Sequence, residues 1–199
     1  MFANIDHCVV WRGRVWHDHG MRFLLYILFT AFFGTAARAQ QVTYSFVWTG
    51  SGDYSVKGAF SFDEGEISNA FVFSDDVVCF EMTGFHKDQE IGKTSLVDME
   101  GTQNWIFHFD HRSKRLLVHG DTFLSMPQAW NMGGRGNDCG EAGFGLNIGS
   151  AAQDICINNT LIYESQIHPS TPFPVHVDPD YAYTQMHCPG DQLLSFWAE

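Results

Sequence analysis

QVTYSFVWT (Gln41–Thr49), GSGD (Gly50–Asp53) and YSVKGAFSFD (Tyr54–Asp63) form the stretch whose reading decides the fold class. Val42, Tyr44, Phe46 and Trp48 fall on every second residue, with Thr43, Ser45 and Thr49 between them. Tyr54, Val56, Gly58, Phe60 and Phe62 repeat the pattern after the turn cluster. Successive side chains of a strand point to opposite faces, so each run has one apolar face and one polar face. Two such runs around a Gly-rich tetrapeptide predict a β-hairpin.

Downstream, Asp63-Glu64-Gly65-Glu66 is a turn, and Ile67, Asn69, Phe71 and Phe73 begin a third strand. Val77–Met82 reads as a fourth strand and Leu96–Met99 as a fifth. A second hairpin is expected where Trp105, Phe107 and Phe109 meet Leu116 and Val118 across the connection His111 to Lys114. A one-residue slip would turn the second strand over, so the pattern sets the register. The alternation lapses from Thr122 to Cys139, where Gly133 to Asp138 reads as a loop. Phe144–Ile148 and Thr160–Ile167 are the last strands, and Ala151 to Asp154 is expected as a short helical turn. No segment sustains a helical period over ten residues. The prediction is an all-β, antiparallel β-sandwich or barrel-like domain over 40–167. Five prolines after His168 predict an irregular tail over 168–199.

Upstream, Met21-Arg22 is a positive start, Phe23 to Phe33 is an apolar run, and Ala37-Arg38-Ala39 is a small-x-small site. Eleven helical residues rise only about 16 Å, against a bilayer core of about 30 Å. The pattern is that of a secretory signal peptide over 21–39, cut before Gln40, leaving no stable membrane insertion. Residues 1–20 do not fit a signal peptide and are expected to be an upstream extension, with Met21 the true start.

The whole chain carries 11 basic and 23 acidic residues, a net charge of −12. The first 39 residues hold four Arg and two Asp, so the exported part stands at −14. That balance excludes nucleic acid and anionic membranes as partners, since both require a cationic footprint. Removing Cys8 leaves Cys79, Cys139, Cys156 and Cys188, an even number suited to an oxidising compartment. Four cysteines allow three pairings. The short Gly-rich loop favours Cys139 with Cys156, which leaves Cys79 with Cys188; closing a loop of this size contributes about 3 kcal/mol in the chain-entropy model.

The stretch Tyr54 to Asp63, with the segments Trp130 to Gly140 and Gly149 to Asp154, resembles exported bacterial β-rich proteins of the PEP-CTERM-sorted kind. The resemblance covers residues 41 to 167. It implies an extracellular or envelope location and no particular catalytic residue. The Val-Pro-Glu-Pro element, the C-terminal apolar helix and the basic tail of that family are missing here, which implies release rather than anchoring.

Few residues suggest chemistry. If Trp105, Phe107, Phe109, Leu116 and Val118 face the core, then His108, Asp110, His119 and Asp121 share the opposite face. Imidazole and carboxylate together suit a divalent metal, although the same alternation describes a plain solvent face. No other cofactor is expected. The acidic turns at Asp53, Asp63, Glu64, Glu66, Asp75 and Asp76 do not match a spaced calcium loop. Gly133–Gly149 matches no phosphate-binding motif, and its glycines are expected in tight turns beside the disulfide. Trp48 and Trp105 fall on core faces, while Trp130 lies beside Asn131 in a loop and is the expected exposed sugar contact. No nucleophile-elbow or zinc-protease motif occurs. The leading expectation is an exported, non-enzymatic extracellular or envelope domain. The alternatives are a carbohydrate-binding module using Trp130, with a polysaccharide or cell-surface component as partner, and a hydrolase with a loop-borne site.

Overall fold

A computed structural model describes residues 41–172 and 174–184. The signal peptide, the upstream extension and Cys188 lie outside the described residues. Three antiparallel sheets pack together without closing into a barrel, so the domain is all-β as expected.

The opening hairpin forms as read. Strands β1 (Gln41–Thr49) and β2 (Tyr54–Asp63) pair from Gln41↔Asp63 to Thr49↔Ser55. After β3 (Phe71–Phe73), β4 (Val77–His86) pairs with β2, and β5 (Gln89–Ser95) pairs with β4. The expected strand at Leu96–Met99 is instead one helical turn, α1. Ser95 donates its backbone N–H to Asp98 at 2.8 Å, a local capping contact that starts a helix rather than a strand.

The segment read as one strand at 105–110 is split. β6 (Trp105–Ile106) joins one sheet, and β7 (His108–Asp110) pairs with β3 and with β8 (Arg115–Leu116). Phe109 faces Leu116, so the expected register holds. The switch between sheets leaves backbone groups without a ladder partner. The side chain of Gln128, fully buried, replaces that partner: Nε2 donates to the carbonyls of His108 (2.7 Å) and Leu117 (3.0 Å), and Oε1 accepts from the His108 N–H.

The second large sheet runs β12–β11–β10–β9–β6, with β9 (Gln128–Trp130), β10 (Phe144–Ile148), β11 (Gln153–Ile157) and β12 (Thr160–Ile167). The helical turn expected at Ala151 to Asp154 is therefore corrected: Gln153 and Asp154 open a central strand. The tail adds β13 (Val175–Val177), which pairs with β1 and completes the first sheet, β13–β1–β2–β4–β5.

Tyr44, Phe46, Phe60, Phe80, Phe107, Phe109, Trp130 and Phe144 fill the space between the sheets. The ring of Phe144 lies on Gly84 and Gly92, which face each other across β4 and β5. A Cβ on Gly84 would lie 2.1 Å from Phe144 Cζ, so only glycine admits the ring there. Trp48 Nε1 donates to Gln153 Oε1 at 2.8 Å, joining the two large sheets across the core.

After β13 the chain crosses the back of the first sheet as a strap. Tyr181 Oη donates to Glu81 (2.9 Å), and Thr184 donates to the same carboxylate from its N–H and its hydroxyl (3.0 Å each to Oε2). Tyr183 meets Ser61. This explains why Ala59, Ser61 and Glu81, on the face opposite the core, are buried. Burial pushes the phenols of Tyr181 and Tyr183 up; the adjoining Glu81 adds to the effect at both, while the Ser61 contact opposes it at Tyr183.

Candidate functional site

The outer face of the second sheet carries the site. In β10, Phe144, Leu146 and Ile148 turn inward, so Gly145 and Asn147 turn outward. In β11, Gln153 and Ile155 turn inward, so Asp154 and Cys156 turn outward. Asn147 and Asp154 are direct cross-strand partners. Cys156 bonds to Cys139, with Cα atoms 6.1 Å apart, and this pins the Gly133–Cys139 loop over the sheet. The pairing is the one expected. Met132, Cys139, Cys156 and Leu161 form a small apolar cluster beneath the loop. Gly136 and Gly140 have φ of +65° and +95°, so the glycines serve tight turns there. Cys79 is also disulfide-bonded; its expected partner Cys188 lies outside the described residues.

Between this loop, the Ser125–Met126 segment and the β10–β11 turn lies a cleft of about 220 Å³. Asp154 is its one carboxylate among the described lining residues. It is only 5 % exposed. Oδ2 accepts from Gln166 Nε2 at 2.8 Å, whereas no group makes a hydrogen bond of normal geometry to Oδ1. Burial raises the Asp154 pKa, and Gln166 and then Asn147 oppose that rise in part. A buried acceptor without a partner costs about 1–3 kcal/mol, and a charged one more. Arg135 also lines the cleft and is exposed. A second, larger depression of about 390 Å³ lies at the tips of the β1–β2 and β4–β5 hairpins, but none of its lining residues is buried.

The residues singled out in the sequence fall elsewhere. Trp130 is corrected outright: it is 0 % exposed, with Phe46 and Phe80 rings centred 5.0 and 5.1 Å away. The short strand β9 carries it into the core, so it offers no face to a sugar. His108, Asp110, His119 and Asp121 are not brought together as a metal-binding group. Strand β8 ends at Leu116, and Asp121 N–H bonds back to Val118, so the alternation stops before His119. His108 Nδ1 meets the Pro127 carbonyl at 2.6 Å. Asp110 accepts from Ser113 and Arg112 in the β7–β8 turn, and the Ser113 hydroxyl, as the largest cause, lowers its pKa. Asp121 forms an ion pair with Arg115.

Sequence reading missed Asp154 because it was placed in a helical turn. The available signal was an acidic residue two positions before Cys156 and flanked by Ile155, within a segment buried on both faces. The chain matches no family model, no curated protein and no solved structure. Among the described residues, no helix is long and apolar enough to cross a membrane.

Proposed function

We propose that this protein is an exported, non-enzymatic extracellular or envelope domain that binds a small polar ligand in the cleft at Asp154. One observation carries the reading: Asp154 is a buried carboxylate on the wall of a cleft, and Gln166 is the one group that bonds it with normal geometry. Folded chains pair their buried polar groups, so a buried carboxylate short of partners on the wall of a cavity marks a place for a donor from outside. The signal-peptide pattern and the disulfide support export.

Amide NMR spectra of the labelled chain, recorded against a panel of small polar compounds, test the reading. The expected shifts fall on residues 125–126, 133–136 and 147–154. Shifts confined to other surfaces, or turnover of a hydrolase substrate panel, overturn it.

One observation favours a second reading, a carbohydrate-binding module. Phe71 and Phe73 are 39 % and 43 % exposed on β3, with ring centroids 6.4 Å apart. His108 meets Phe73 edge-on at 5.5 Å. Such a face can stack on sugar rings in place of the buried Trp130. A polysaccharide pull-down that F71A/F73A abolishes would move this reading ahead of the first.

A further inference from the structure

The strap crosses the outer face of the first sheet strand by strand. Asp178 donates its N–H to the Thr43 carbonyl of β1 at 2.9 Å. Tyr183 meets Ser61 of β2, and Thr184 then closes on Glu81 of β4. In β4, Phe80 and Met82 belong to the core, so Cys79 and Glu81 turn to the outer face. Cys79 lies directly across from Ser61, is 1 % exposed, and is disulfide-bonded. Cys139 and Cys156 are bonded to each other, which leaves Cys8 and Cys188 as the partners available within the chain. The strap thus arrives on β4 next to a bonded cysteine, and Cys188 follows Thr184 four residues further on.

We propose that Cys79 is bonded to Cys188 and that this bond is a redox-controlled lock on the strap. Reach supports the pairing. Residues two apart on a strand, as Cys79 and Glu81 are, lie about 7 Å from each other. Four residues of extended chain span up to about 14 Å, and bonded cysteines sit about 4.4–6.8 Å apart at Cα. Thr184, held at Glu81, therefore brings Cys188 within range of Cys79. Cys8 stands ahead of the signal-peptide pattern, on the part of the chain expected to be cut away. The two thiols form the bond by passing two electrons and two protons to a disulfide-carrying oxidant, which becomes a dithiol. Beyond β13 the strap is held by polar contacts at Thr43, Ser61 and Glu81. A tether four residues long keeps Thr184 beside its acceptors whenever those contacts open, so they re-form at once. With the bond reduced, the strap opens more often, and Ala59, Ser61 and Glu81 beneath it meet solvent. The lock is independent of the cleft at Asp154, which lies on the other large sheet.

Peptide mapping of the exported chain without reduction tests the pairing. A linked peptide carrying Cys79 and Cys188 is expected. A link from Cys79 to Cys139, to Cys156 or to a second copy of the chain overturns it, as does a free thiol at Cys188. Amide exchange tests the lock. Cys188→Ser is the variant of choice, because it leaves the buried Cys79 in place; protected amides in β10 and β11 show that its fold is kept. Exchange at the Thr184 amide is expected to be about tenfold or more faster than in the parent. Dithiothreitol is expected to produce the same acceleration in the parent and no further one in Cys188→Ser. Its thiolate attacks the bond to give a mixed disulfide and then leaves as a cyclic disulfide, with Cys79 and Cys188 as thiols. A Thr184 amide unmoved by both Cys188→Ser and dithiothreitol overturns the lock even where the linked peptide is found. Further acceleration by dithiothreitol in Cys188→Ser assigns the effect to Cys139–Cys156 and overturns it too.

Discussion

Asp154 concentrates the account at the scale of one residue. Its folded pKa is raised by burial, so the folded state holds that proton more tightly than the unfolded chain does. Linkage then fixes the sign. Stability from this group falls as pH rises from the ordinary aspartate value of about 3.9 through the folded pKa, and the penalty stays constant above it. Asp154→Asn removes the penalty. The variant is expected to melt above the parent at pH 7, with the difference vanishing as pH falls below about 3.9. Thermal melts of both proteins across that range check it; equal melting temperatures at pH 7 would show that the carboxylate is not strained by burial. None of this was legible in advance, because burial of an acid depends on what packs over it. Here the groups at the carboxylate include Gln166 and Asn147, which the fold brings to it from neighbouring strands.

Elements were legible where local pattern and tertiary demand agreed. The β1–β2 hairpin announced itself, since its alternation meets one core and its turn is Gly-rich. The β4–β5 hairpin did not. Its turn residues Lys87 and Asp88 both take positive φ, 51° and 65°, where Asn-Gly would have been the usual signal. Its second strand is mostly polar because it lies at a sheet edge. Within that hairpin, Gly84→Ala drives a methyl into the Phe144 ring and is expected to cost about 2 kcal/mol in urea unfolding, as overpacking does. A cost under about 0.5 kcal/mol, typical of a surface change, would show the ring is not seated there. The strap is another element no pattern revealed, because it is held by scattered polar contacts: Glu81 takes Tyr181 and Thr184, and Ser61 meets Tyr183. Glu81→Ala leaves Tyr181 and Thr184 without their acceptor. Exchange of the Thr184 amide is expected to quicken by about tenfold or more while the core strands stay protected, as in local opening. Unchanged exchange would show that β13 and the Tyr183–Ser61 contact anchor the segment without Glu81.

Across the whole molecule, period-two patterning made the all-β antiparallel class readable, and the short cysteine spacing made one disulfide readable. Strand order, the sheet switch at Phe107 and the outer-face cleft were not, since they depend on contacts far apart in sequence. Replacing Cys139 and Cys156 together by Ser is expected to cost about 3 kcal/mol by the loop-entropy argument, and to loosen the loop that shares the cleft lining with Asp154. Denaturant unfolding measures the first effect, and a fall in the Asp154 pKa toward its ordinary value reports the second. An unchanged midpoint of unfolding would show that the loop is held without the bond. The central claim is that Asp154 is a buried carboxylate on the wall of a cleft, its pKa raised by that burial. Its most direct test is a ¹³C titration of the Asp154 side-chain carboxyl resonance. A midpoint above the ordinary aspartate value is the expected result; a midpoint at or below that value would contradict the account.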